Sequence, residues 1–173
     1  MTTGADIKLK KIYQPIAKEL KQTQTILSAV LRGGDRYVAE IGRFVERSPG
    51  KLLRPALVLL AAKCGKPDRG RAVNLAAAIE LIHMATLTHD DVIDRAKLRR
   101  GQPSVSAKYG ADKAVLFGDY LYSRAFEMIS RLIDGKFPDY EQIIPKSFDR
   151  FSINLFRHCY TNFLSKPGLL DSE

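Results

Sequence analysis

Apolar residues recur at helical spacing along most of the chain ahead of Asp134, and no convincing span alternates with period two. Leu9, Ile12, Ile16, Leu20, Leu27 and Leu31 trace one face of an N-terminal helix, with an interruption near Pro15 and an end at Gly33-Gly34. Tyr37 to Val45 begins a second helix, and the run from Ala56 to Ala62 predicts a third, buried one. Gly65-Lys66-Pro67-Asp68 separates it from a long segment, Arg71 to Asp94, that has no Gly or Pro and is rich in Ala, Leu and Ile. Val73, Leu75, Ile79, Leu81, Ile82, Met84 and Leu87 spread over several faces of that segment, which predicts the central helix of a bundle. Arg99 to Pro103 follows as a loop, Leu116 to Ile133 as another helix, and Asp134 to Asp139 as a turn. The fold class read from this pattern is all-α.

Beyond Pro145 the pattern degrades. Phe148, Phe151, Phe156, Tyr160 and Phe163 follow one helical face only loosely, so a short terminal helix is the plain reading there. We take residues 1–145 as one helical unit and leave 146–173 unassigned as a divergent tail. A chain of 173 residues is ample for one domain with a sizeable core. It contains no internal repeat and no low-complexity tract.

The candidate chemistry lies at the end of the long segment, where residues 90 to 100 read Asp-Asp-Val-Ile-Asp-Arg-Ala-Lys-Leu-Arg-Arg. Asp90 and Asp94 are four apart and so one turn from each other on one helical face, with His83 near that face two turns earlier. Taken alone, three aspartates beside arginines read as a solvated helix end. Carboxylates at a helix C-terminus, however, oppose the macrodipole at a cost of a few tenths to about 1 kcal/mol each, which argues for a compensating cation. Hard divalent ions take oxygen ligands, commonly one or two carboxylates plus substrate phosphates, and Arg forks recognise phosphate oxygens directly.

A second constellation, Ser48-Pro49-Gly50-Lys51-Leu52-Leu53-Arg54-Pro55, sets a turn, a Lys and an Arg at the start of the third helix. Free backbone N–H groups, the positive dipole end, Lys51 and Arg54 could converge there on one anion. Equally, both side chains could simply snorkel from a helix start.

A net charge of +9 invites a nucleic-acid or membrane reading, but the basic residues are dispersed and the densest cluster, Arg95 to Arg100, abuts the aspartates. Diphosphate binding explains it more economically, and no nucleic-acid partner is expected. No run approaches the roughly 20 apolar residues needed to span a bilayer, and the first residues lack a signal-peptide core. Cys64 and Cys159 have no metal-ligand spacing and are read as reduced, buried thiols of a cytoplasmic protein. His83, His89 and His158 do not form a zinc set.

Four motifs in order, Gly50-Lys51-Leu52-Leu53-Arg54-Pro55, the stretch from Glu80 through Asp94, Arg99-Arg100-Gly101-Gln102-Pro103, and Gly118-Asp119-Tyr120-Leu121, resemble those of the trans-type polyprenyl diphosphate synthases, long-chain type. The resemblance spans roughly residues 8 to 130. It implies a helical bundle of the isoprenoid synthase type, incomplete and represented by its N-terminal helices only. It also implies a reaction in which the allylic C–O bond ionises, the isopentenyl double bond attacks the cation and a proton is lost. On this resemblance Asp90, Asp91 and Asp94 are the catalytic cluster, with Asp90 and Asp94 ligating Mg²⁺ on an allylic prenyl diphosphate that Arg99 also contacts. Lys51, Arg54, His83 and Arg100 would bind isopentenyl diphosphate. Ala85 and Thr86, five and four residues before Asp90, are small where bulky residues would block the growing chain, which implies a long product.

The family's second aspartate-rich motif is missing: no other DDxxD and no Phe-Gln pair occurs after Asp94, and the later Lys-Thr element is absent. The sequence is therefore read as a truncated front part holding half of the metal site, weak or inactive alone. Completion by a partner chain, or a homodimer, is the expected assembly. The alternative is a non-catalytic half-domain that binds diphosphate or pairs with an intact synthase.

Overall fold

The computed structural model describes residues 9, 11–48, 50–65 and 68–133. A 3₁₀ turn at Gln14–Ile16, with Pro15 in its first positions, leads into α1 (Ala17–Arg32), so the expected interruption is a change of helix type. Then come α2 (Arg36–Glu46), α3 (Leu53–Lys63), α4 (Arg69–Ile93), a hairpin of β1 (Leu98–Arg99) and β2 (Gln102–Pro103), α5 (Val105–Tyr109) and α6 (Ala111–Ile133). Three of these starts are capped by their own sequence. Asp35 accepts from the N–H groups of Tyr37 and Val38, Asp68 from those of Gly70 and Arg71, and Ser104 from that of Ala107.

Helix α4 is the centre of the bundle and packs most extensively on α6, then on α3 and α1. Its alanines explain how. Ala76, Ala77, Ala78 and Ala85 are all fully buried, and their small side chains let neighbouring helices approach on several sides at once. Leu81, also fully buried, joins Leu27, Leu31, Phe117 and Leu121 in the larger apolar cluster, while Val73 and Ala76 join Ile16 and Leu59 in a second. Each such leucine contributes about 1.5–3 kcal/mol of burial.

Glycine decides one crossing. A Cβ on Gly42 of α2 would stand 1.8 Å from the Leu31 carbonyl oxygen of α1, a backbone atom that cannot rotate aside. Gly42→Ala gains about 1 kcal/mol of helix propensity but forces the two helices apart, so a net loss of about 2 kcal/mol is expected. Urea unfolding of the two chains measures it, and an unchanged midpoint would mean that α1 and α2 separate freely.

Two expectations are corrected. The stretch Arg99 to Pro103, read as a loop, carries a two-residue antiparallel ladder pairing Leu98 with Pro103 and Arg99 with Gln102. Arg100 (φ 53°) and Gly101 (φ 77°) both take positive φ at its tip, the signature of a type I′ turn. Cys64, read as buried, is exposed just past α3, its thiol 3.6 Å from the Leu60 carbonyl. No described helix is long and apolar enough to cross a membrane. The turn at 134–139, the aromatic run from Phe148 to Phe163, His158 and Cys159 lie outside the described residues.

Candidate functional site

The start of α3 is built to leave backbone donors free. Its N-cap, Leu52, is a non-glycine residue in the left-handed region (φ 53°) and offers no capping side chain. Strain of that kind persists only where surrounding structure holds it, and here the Tyr13 hydroxyl donates to the Lys51 carbonyl at 2.8 Å. Across from this turn stands the hairpin tip. Arg100 Nη1 lies 3.4 Å from the Ser48 carbonyl, and its guanidinium occupies the space beside Gly50, where a Cβ would come within 2.9 Å of Nη1.

Between α1, α2, the turn that precedes α3, α4 and the hairpin opens a cavity of about 250 Å³ whose wall includes Gly50, Glu80, His83, Asp91, Arg99 and Arg100, with apolar Leu27, Leu31 and Phe44 opposite. His83 is partly buried, and burial, followed by the charges of Arg54, Arg100 and Arg99, holds its imidazole below the usual range, so the ring is neutral near pH 7. The expected set of Arg54, His83 and Arg100 is thus brought together with Arg99. Lys51, exposed, sits at the mouth of the same turn.

The aspartates divide into two environments by their position on α4. Asp90 and Asp94 are exposed in and just after its last turn, where the Asp94 N–H donates to the Asp90 carbonyl at 2.8 Å. Asp91 points the other way. It is 3 % exposed, and Arg99 grips its carboxylate with Nε at 2.6 Å and Nη2 at 2.7 Å. The hydrogen bonding it donates to Asp91, and then the charges of Asp91, Asp90 and Asp94, raise the Arg99 guanidinium above its ordinary range against the opposing effect of burial. All three carboxylates therefore surround Arg99, but Asp91 does not share the outward face of the other two. Among the described residues no three His, Cys, Asp or Glu side chains form a group that could hold a metal ion.

Of the two small residues ahead of the aspartates, Ala85 is fully buried in the main apolar cluster. Thr86 is exposed; its hydroxyl donates to the Ile82 carbonyl at 2.9 Å and lies 2.9 Å from the Tyr122 hydroxyl on α6. Tyr122 continues a row of rings, 5.6 Å from His89 and stacked at 6.1 Å on Phe126. One turn along, His89 Nε2 lies 3.1 Å from the Val115 carbonyl and 3.5 Å from Asp119, close packing that Gly118 permits, since a Cβ there would fall 2.2 Å from that nitrogen.

Sequence reasoning missed Tyr13, Glu80, Tyr122 and Phe126. A signal existed for Glu80: it is the one acid in an apolar stretch from Arg71 to His89, and it lies three residues before His83 on the same side of the helix. Tyr122 and Phe126 share a face of α6 at i, i+4 spacing, but nothing in their own segment says what that face meets.

Comparison with known proteins bears on this geometry. The family model for polyprenyl synthetase matches residues 35–157. The chain is 40% identical over 126 residues to heptaprenyl diphosphate synthase component 2 of Geobacillus stearothermophilus, covering 73% of this chain and 39% of that protein. It is 35% identical over 124 residues to octaprenyl diphosphate synthase of Escherichia coli, covering 72% and 38%. Among solved structures, a polyprenyl synthase of Caulobacter crescentus complexed with calcium and isoprenyl diphosphate superposes with a TM-score of 0.67 at 30% identity, covering 71% of this chain and 38% of that one. The chain spans about two fifths of the length of the curated relatives it matches.

Proposed function

The chain belongs to the polyprenyl synthetase family, and from that premise we propose that it carries the diphosphate-binding part of a prenyltransferase that condenses isopentenyl diphosphate with an allylic diphosphate. One observation carries the reading: Arg99 and Arg100 line one cavity with a neutral His83, beside the uncapped start of α3 whose first turn bears Arg54. Three guanidinium groups, Arg99 held by Asp91, and free helix N–H donors suit a diphosphate better than a single carboxylate or an uncharged ligand. Arg54, Arg100, Lys51 and the His83 ring would hold isopentenyl diphosphate, while Arg99, oriented by Asp91, turns its remaining N–H donors toward an allylic diphosphate.

The residues at the end of α4 fit a divalent cation of the Mg²⁺ type. Two exposed carboxylates one turn apart match an ion that uses one or two protein ligands and takes the rest from phosphate and water. Asp90 and Asp94 would hold it, and Asp91 would not, being engaged by Arg99. A bound Mg²⁺ would supply Lewis-acid neutralisation of the departing diphosphate. The cation in the Caulobacter crescentus complex supports a divalent ion of hard, oxygen-seeking character.

A long product is supported by the small Thr86 on the open face of α4 and by the heptaprenyl and octaprenyl names of the relatives. Completion by a second chain is supported by the word component in the name of the Geobacillus stearothermophilus relative. Turnover by this chain alone is expected to be negligible, with binding retained.

Calorimetric titration with inorganic pyrophosphate tests the proposal. Binding is expected without metal and to tighten about tenfold with Mg²⁺, and Asp90→Ala with Asp94→Ala should remove that tightening alone, since one lost charge-assisted contact is worth about 1.5–3 kcal/mol. Pyrophosphate that fails to bind, or that binds without regard to Mg²⁺, would overturn it.

A further inference from the structure

Glu80 has no place in the chemistry above, yet it lies in the wall of the same cavity. It is 6 % exposed, the one acid in the apolar stretch of α4, and it lies among cations. The groups that face it come from every side. Arg54 is contributed by α3, Arg100 by the hairpin tip, Tyr13 by the segment before α1 and His83 by the next turn of α4 itself. Arg54 and Arg100 draw on its carboxylate through space and not through a hydrogen bond, and Tyr13 feels its charge in turn. A carboxylate buried without a hydrogen-bonded partner is costly, and the charges of two guanidinium groups that a diphosphate would engage favour its ionised form against that cost.

We propose that Glu80 is the internal counter-ion of the diphosphate cleft, a positioning residue that keeps Arg54 and Arg100 in place while the cleft is empty and takes up a proton when an anion replaces it. The inference rests on the diphosphate reading of the cleft. Burial already pushes the Glu80 carboxyl above the ordinary carboxylate range, with Arg54 and Arg100 pulling it back. An incoming anion occupies those arginines and adds its own negative charge, and both effects raise the carboxyl further. A group whose affinity for protons rises on ligand binding makes that binding stronger as pH falls. The ionised cleft thus resists an anion that the protonated cleft accepts, so Glu80 sets how strongly affinity depends on pH.

His83 is the competing source of such a proton, because an anion would raise its neutral imidazole as well. The experiment is therefore calorimetric titration of the purified chain with inorganic pyrophosphate, without metal, in buffers of different ionisation enthalpy between pH 5.5 and 7.5, which counts the protons exchanged. Pyrophosphate's own proton loss is common to all variants and cancels in the comparison. Wild type is expected to take up more protons than Glu80→Gln, and Glu80→Gln to bind about tenfold more tightly at pH 7.5 with a flatter pH profile. His83→Asn should keep the excess uptake. Equal proton exchange in wild type and Glu80→Gln, or an excess lost in His83→Asn and kept in Glu80→Gln, would overturn the role of Glu80 while leaving the cleft's anion binding in place. Absence of pyrophosphate binding in wild type would instead remove the diphosphate reading on which it rests.

Discussion

Replacing Arg54 and Arg100 together by Gln is expected to weaken pyrophosphate binding by about a thousandfold. Arg54, on the first turn of α3, and Arg100, in the cavity wall, both act electrostatically on His83 and Glu80, so two separate elements direct positive charge at one site. A charge-assisted hydrogen bond contributes about 1.5–3 kcal/mol, and two of them at the middle of that range make the thousandfold at about 1.4 kcal/mol per factor of ten. The loss is expected to fall short of the product of the two single losses, because in each single variant the remaining arginine faces Glu80 alone and its own contact is weakened as well. Titration calorimetry at fixed ionic strength reads it, with the single variants completing a cycle. A loss of only a few-fold in the double variant would mean that the anion is held elsewhere, at the uncapped start of α3 or by the aspartates through a cation. Circular dichroism before titration separates lost binding from lost folding, which is not expected from two side chains on the rim of the bundle.

The helices were legible in the sequence because burial on one or several faces writes a 3.6-residue period, and α4 lies within two residues of its expected start. The hairpin was not legible in that way. Four ladder residues are too few for a period of two, and only Gly101 after Arg100 marks the turn, with an arginine where Asn or Gly is the usual first residue. The exposure of Cys64 was also hidden, because composition says how often a thiol is buried but not that this one falls just beyond the last turn of α3. Residues quoted from separate motifs do come near one another: His83, Arg99 and Arg100 line one cavity, and Arg54 on the first turn of α3 acts electrostatically on His83. The different fate of Asp91 was readable in principle. Glu80 and Asp91 are eleven residues apart, close to three helical turns, so they share a stripe with Thr88 that turns inward, whereas Asp90 and Asp94 share the neighbouring, outward one. A run of three acids reads as one cluster only if the helix is ignored.

Arg99→Ala is expected to destabilise the fold by about 3 kcal/mol, and Asp91→Asn by only about 1 kcal/mol. The two partners of this pair are not equally wet: the Asp91 side chain is 4% exposed and that of Arg99 37%. Removing the arginine strands a buried carboxylate; among the described residues the other hydrogen bonds at Asp91 are to its backbone carbonyl, from the Ala96 N–H and the Ser106 hydroxyl, and leave the carboxylate without a donor. Removing the carboxylate's charge leaves a guanidinium that water already reaches and that still finds an acceptor in the amide. In the double variant Arg99→Ala with Asp91→Asn the stranded charge is gone, so it should recover about half of what Arg99→Ala loses. Guanidinium chloride unfolding of the four chains gives the cycle, and equal losses from the two single changes would mean that Asp91 is solvated rather than buried. The same Asp91→Asn chain settles the division of the aspartates. Because its carboxylate faces Arg99 and not the outward pair, it is expected to keep the Mg²⁺-dependent tightening of pyrophosphate that Asp90→Ala and Asp94→Ala lose. A loss as large as theirs would put all three carboxylates on the cation and would require the Arg99 pair to open when the cation binds.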